Sequence, residues 1–302
     1  MLTAQNLAGV FPPVPTPYNE EGEIASKELA GNLEKLSRTD LSGFIILGSN
    51  GEYVYLDENE KLEMFKAARA AIPSGKLFVA GTGAESTRAA LRLTLAAAEI
   101  GADAAIVITP AYYKPAMTGE ALIRHFTTLA DASPIPLVLY NMPSYTGIDL
   151  TTDTVLKLAE HPKIIGLKES SGNVVKIAEI ARGVALKKLD FAVLAGSASF
   201  LQAAVAVGAS GGIVASANVA PDLCLKVYRA TLAGDKNAAQ AQQAVLPLNA
   251  AVTTKFGVAG LKYAMDRLGL YGGQVRSPLL ALSTLGRSEI DQIIDELELK
   301  AG

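Results

Sequence analysis

Eight short apolar runs punctuate the chain: VFPPVPT, GFIILGS, LFVAGTG, AAIVITP, PLVLYNMP, IIGLKES, FAVLAGS and GGIVASA. They end near residues 16, 49, 83, 109, 142, 170, 197 and 216, between 19 and 34 residues apart. Their apolar residues are continuous, not alternating, which suits strands buried on both faces of a parallel sheet. Amphipathic segments lie between them. Residues 58–72 carry Leu62, Phe65, Ala68 and Ile72, close to a period of 3.6. Asp57 with Glu60 predicts an N-cap and its reciprocal partner. Ser86 and Thr151 predict further caps. Gly43 and Gly101 fall where a helix is expected to stop and turn into a strand.

Eight strand–helix cycles predict an α/β fold of the (β/α)8 TIM-barrel type. Residues 1–230 are assigned to the barrel and its active site. Residues 231–302 are assigned to a C-terminal helical extension packed on it, read from AAQAQQAVLPLNAAV, GLKYAMDRLG and SEIDQIIDELELK. A doubly wound sheet is the competing topology. It usually needs fewer strands, and the first turn has no convincing G-x-G-x-x-G.

Composition narrows the function. The chain has 302 residues, of which 50% are hydrophobic and 19% charged, with a net charge of −3. That balance gives no footprint for nucleic acid or an anionic membrane. The least polar window, residues 201–220, is interrupted by GASGG, so it reads as a buried helix, a turn and a buried strand and not as a membrane span. The N-terminus lacks a basic start and a long apolar stretch, so no signal peptide is expected. The single cysteine, Cys224, excludes an internal disulfide and points to a reducing, cytoplasmic setting.

Barrels of this kind take catalytic groups from the carboxyl ends of several strands. The polar residues there form a short set: Ser49, Asn50 and Glu52; Thr109, Tyr112 and Tyr113; Tyr140, Asn141, Ser144 and Tyr145; Lys168, Glu169, Ser170 and Ser171. The two histidines, His125 and His161, lie in helix-like context. A catalytic zinc site draws on His-rich ligand sets, so no metal is expected. By position alone a strand-end lysine is more often a solvated surface group, and a strand-end tyrosine more often core or interface. Glu169 reads as a structural cap or ion-pair partner. SNGE and GTGAES are ordinary strand–loop–helix turns. Yet Lys168 ends an apolar strand, and a lysine kept from water can give up its proton. A neutral amine attacks a ketone to form a Schiff base that acts as an electron sink. Such chemistry needs an uncharged proton carrier nearby. Tyr140 fits that role, and Ser49 could relay its proton.

These same stretches carry a family resemblance along essentially the whole chain. GSNGE, GTGAEST, GADAAIVITPAYY, LYNMPSYTG, GLKESSGN and AGSASF resemble, in order, the motifs of the dihydrodipicolinate synthase and N-acetylneuraminate lyase family of pyruvate-dependent class I aldolases. The resemblance implies a barrel with a helical extension, usually a homotetramer. It implies that Lys168 is the Schiff-base lysine and Tyr140 the proton shuttle. Ser49 matches the hydroxyl that holds the pyruvate carboxylate and relays protons. Tyr112, with Tyr113 beside it, matches a tyrosine that reaches into a neighbouring subunit's site. Gly196 and Ile213 match positions lining the pyruvate pocket.

Two departures bear on substrate. Members making dihydrodipicolinate resemble YNVPSRTG, whose arginine grips the second substrate's carboxylate; here that place is Tyr145, which cannot supply a bidentate charged contact. Asn50 stands where those members commonly have threonine. The tail LPLNAAVTTKFGVAGLKYAMDRLGLYGG is similar to 4-hydroxy-2-oxoglutarate aldolases, a branch in which the serine at position 170 is implicated near the substrate. Fungal 2-keto-3-deoxy sugar acid aldolases look similar. The expectation is a cofactor-free, pyruvate-releasing aldolase that frees an aldehyde, glyoxylate for the 4-hydroxy-2-oxoglutarate branch. The rivals are 4-hydroxy-tetrahydrodipicolinate synthase, a 2-keto-3-deoxy sugar acid aldolase, a non-catalytic keto-acid binding protein, and a phosphate-binding isomerase, for which no strand-end carboxylate is suited.

Overall fold

The first apolar run closes the sheet on itself. Gly9–Phe11 (β1) and Pro13–Val14 (β2) are the two halves of one stave, and Pro12 between them and Pro13 at the start of β2 have no backbone N–H to donate. The run contributes carbonyls to both neighbours. Phe11 O accepts from Val214 N at 3.0 Å, while Val10 O and Pro12 O accept from Ser42 N and Ile45 N at 3.0 Å. The remaining strands are Gly43–Ile46 (β3), Leu77–Gly81 (β4), Ala104–Ile108 (β5), Leu137–Asn141 (β6), Ile164–Glu169 (β7), Ala192–Ala195 (β8) and Gly211–Ile213 (β9). All pair in parallel, β1 with β9 and β2 with β3. The computed structural model describes residues 2–300.

Helices return the chain between staves: Ser26–Ser37 (α1), Glu58–Ala71 (α2), Thr87–Ile100 (α3), Gly119–Ala132 (α4), the single turn Pro143–Thr146 (α5), Thr152–Leu158 (α6), Val174–Lys187 (α7), Leu201–Ala206 (α8) and Pro221–Leu232 (α9). The expected caps are present. Asp57 and Glu60 form a reciprocal capping box, and the Ser86 and Thr151 side chains accept from Ala89 N and Thr154 N. Gly101 ends α3 with φ of +98°. Gly43 opens β3 as expected but does not stop the helix, since α1 has already ended at Ser37. A Cβ there would lie 2.4 Å from Leu77 O, so the glycine is required by the close approach of β4.

The barrel interior is filled by Phe11, Ile45, Val79, Ile106, Val138 and Leu194, with Leu7 from a preceding 3-10 turn (Ala4–Leu7) in the same layer. A larger apolar cluster lies between strands and helices, and Cys224 is buried in it. Beyond α9 come Ala238–Ala250 (α10), Gly257–Arg267 (α11) and Thr284–Glu296 (α12), with their own core around Leu248, Leu261, Met265 and Ile290. A five-residue π-helical turn, Ala251–Lys255, joins α10 to α11. Among the described residues no helix is long and apolar enough to cross a membrane.

Candidate active site

Tyr140 and Lys168 are register partners on adjacent strands β6 and β7. Both side chains are 4% exposed, and Lys168 Nζ sits 4.1 Å from the centre of the Tyr140 ring. Among the described residues no carboxylate lies within ion-pair distance of that amine. The Tyr140 hydroxyl is 3.1 Å from Ser49 Oγ, which arrives from the end of β3. Three strand ends therefore place an amine, a phenol and an alcohol in one chain of contacts. Tyr53 shares a crevice with Tyr140 and Gly48. Burial, with the neighbouring Tyr140, pushes its phenol up to about 12, so it remains a neutral donor beside the site.

The loop carrying Ser49 is held in an uncommon backbone. Leu47 and Glu52 have φ of 61° and 53°, a region that non-glycine residues rarely enter. Its anchor is the fully buried Glu52. Lys262 Nζ of α11 lies 2.6 Å from Oε1, Arg276 N donates to Oε2 at 2.8 Å, and Thr16 Oγ1 donates to Gly51 O at 2.6 Å. Arg276 itself forms a two-pronged pair with Glu60 and stacks on Tyr18.

Glu169 alternates to the other side of β7 from Lys168, as strand geometry requires. Its carboxylate accepts from both Asn141 Nδ2 (3.0 and 2.9 Å) and Ser171 N (2.7 Å), and lies 3.1 Å from Lys176 Nζ. Lys176 also meets Asp149 at 2.5 Å. The structural reading of Glu169 holds, and Asn141 belongs to the same network. Together they fix the turn in which Ser170 sits. Ser170 Oγ is shielded from solvent with no hydrogen-bond partner. It packs on Gly196, where a Cβ would approach within 1.8 Å of that oxygen.

A cavity of about 450 Å3 opens over these groups. Lys168, Tyr140, Ser49, Asn50, Ser170, Gly196 and Tyr145 all line it. Two expected residues do not. Tyr112 is 78% exposed and stacks edge-on against Tyr113 outside the cavity. Ile213 is buried in the inner barrel layer, because β9 ends with that side chain pointed into the core cluster. His125 is buried in α4 against Thr87, and His161 meets Asp131, both away from the cavity.

The C-terminal helices contribute a wall that motif reasoning missed. Val252, Thr253 and Thr254 of the π turn, with Gly257 and Val258, line the cavity. π turns occur frequently at functional sites. The buried Asn249 ties this segment to the strand ends, contacting Ser197 Oγ at 3.2 Å and accepting from Ser216 Oγ at 3.1 Å. Pro247 inside α10 and Gly257 just beyond the turn are the sequence features that could have signalled an irregular helix there, and Gly257 adopts a φ of 56°.

The model of the dihydrodipicolinate synthetase family matches residues 6–297. The chain is 36% identical to 4-hydroxy-tetrahydrodipicolinate synthase of Haloarcula marismortui, over 98% of this chain and 96% of that protein. It is 33% identical to a probable mitochondrial 4-hydroxy-2-oxoglutarate aldolase of Emericella nidulans (95% and 94% covered) and 35% identical to L-threo-3-deoxy-hexylosonate aldolase of Hypocrea jecorina (95% and 95%). Among solved structures, dihydrodipicolinate synthase of Aquifex aeolicus superposes with a TM-score of 0.90 at 30% identity, covering 97% of this chain and 99% of that one. A prophage protein of E. coli K12 in complex with pyruvate gives 0.90 at 29%, with the same coverage. The chain belongs to the dihydrodipicolinate synthetase family and is a lyase that makes or breaks a carbon–carbon bond.

Proposed function

We propose a pyruvate-dependent class I aldolase acting on a 4-hydroxy-2-oxo acid. The observation that carries this reading is the contact chain Lys168–Tyr140–Ser49 at the base of the cavity. Lys168 Nζ adds to the C2 ketone, and loss of water from the carbinolamine leaves an iminium. Tyr140, relayed through Ser49, moves the protons of that step. Tyr140 then takes the C4 hydroxyl proton. The C3–C4 bond breaks, its electron pair passes to the iminium as an enamine, and an aldehyde leaves. Protonation at C3 and hydrolysis release pyruvate and the free amine. The lysine is the electron sink, so neither a metal nor an organic cofactor is required. The carboxylate of the keto acid is assigned to Ser49 and Asn50, whose buried Nδ2 is an unpaired donor.

Tyr145 on the cavity wall favours an aldolase over a tetrahydrodipicolinate synthase, because it offers no cation for a second carboxylate. The exposed position of Tyr112 outside its own cavity supports a homotetramer in which that ring completes a neighbour's site. The single buried thiol supports a cytoplasmic setting. Borohydride reduction with pyruvate followed by peptide mass spectrometry tests the reading. The Lys168 peptide is expected to gain the reduced pyruvyl group, and a Lys168 peptide of unchanged mass refutes the aldolase.

A further inference from the structure

We propose that the π turn Ala251–Lys255 selects the aldehyde, and that it selects an uncharged, hydroxyl-bearing aldehyde over a carboxylated one. This rests on the aldolase reading above. It also replaces the glyoxylate expected from sequence resemblance.

The cavity has a chemical polarity. At the Ser49 end stands a buried N–H donor without a partner, Asn50 Nδ2, suited to a carboxylate. The wall supplied by the extension is different. Thr253 Oγ1 donates its proton to Asn249 O at 2.5 Å, and Thr254 Oγ1 lies 3.5 Å from Ala250 O. A threonine hydroxyl bonded back to the helix has used its only proton and keeps its lone pairs, so it acts toward a ligand as an acceptor. Neutral acceptors receive hydroxyl groups and repel a carboxylate.

Charge gives the same answer. Hydroxyl-bearing side chains make up about half of the lining, and among the described residues Lys168 is its only charged one. Once the iminium formed at Lys168 has become the neutral enamine that attacks the aldehyde, no cation remains there to meet a second carboxylate. An anion drawn from water into such a site loses hydration that nothing returns. A hydroxylated aldehyde loses weaker hydration and regains it from acceptors. The partner chemistry is therefore a short polyol aldehyde, whose carbonyl carbon receives the enamine C3 to form the C3–C4 bond.

The test compares aldol addition of pyruvate to glyceraldehyde and to glyoxylate, read as kcat/KM. The wild-type protein is expected to prefer glyceraldehyde by roughly tenfold or more. T253V keeps the shape of the side chain and removes its oxygen. It is expected to shrink that preference about five- to tenfold, the worth of one neutral hydrogen bond, and T253S to restore it. A merely structural role for Thr253 would lower both rates together and leave their ratio unchanged, which would overturn the assignment. A wild-type preference for glyoxylate while Lys168 is still trapped by pyruvate overturns this inference alone. Absence of trapping removes the aldolase reading with it.

Discussion

At the residue scale, the candidate reactive set was visible because each member lies at the end of an apolar run. Lys168 and Tyr140 each occupy the next-to-last position of their strand and Ser49 the turn after its own, where a barrel displays side chains to its mouth. Tyr112 and Ile213 stand in comparable motifs, yet one faces outward and the other inward. Tyr112 lies beyond the end of β5, where the loop and not strand alternation aims its side chain. His125 gives a prediction at this scale. Burial lowers its pKa from 6.5 to about 4, so the folded protein holds it neutral while the unfolded chain protonates it first. The unfolded state binds more protons between these values, so stability is full above about pH 6.5 and falls as the pH drops toward 4. The loss from this group is about 3 kcal/mol. Denaturant unfolding across that range should show a slope that H125N flattens, and an unchanged slope would assign the acid sensitivity elsewhere.

At the element scale, most strands and helices were legible, since period and caps act locally. Gly43 was placed correctly at the strand entry and wrongly as the helix stop, for a physical reason. A glycine between a helix and a strand can stop the first or admit a neighbour to the second, and only the approach of Leu77 decides. Gly196 is the counterpart at the candidate site, set against the Ser170 hydroxyl where β8 meets β7. Gly196→Ala is expected to cost about 1–3 kcal/mol through overpacking and to raise KM for the keto acid by displacing Ser170. Adding Ser170→Ala removes the nearest clashing atom, so the double variant should be more stable than the two single losses predict by addition. Strict additivity in denaturant melts would show that the two sites do not press on each other.

At the scale of the whole molecule, the extension does more than cover the barrel. It supplies a cavity wall through the π turn and anchors the Ser49 loop through Lys262. Lys262 and Glu52 are each about 1% exposed, 2.6 Å apart. Burial lowers the Lys262 pKa while Glu52 draws it back up. Lys262→Met leaves a buried carboxylate unpaired, which costs about 3–5 kcal/mol, and Glu52→Gln in the same chain should recover part of that loss. Urea unfolding of the single and double variants measures it, and a single variant as stable as the wild type would mean the pair contributes nothing.

Alternating apolar runs and amphipathic segments were enough to determine the barrel and its closure by eight staves, and to place Lys168, Tyr140 and Ser49 among the candidates at its mouth. Each depends on periodicity or on position within one element, and these are local properties of the chain. The tertiary structure alone decided that Asn141 and Glu169 brace the lysine strand from behind. It also decided that Tyr112 leaves its own cavity, and that residues more than eighty positions beyond Lys168 form the wall facing it. Those facts depend on how separate elements meet, and contacts between distant segments leave no period in the sequence.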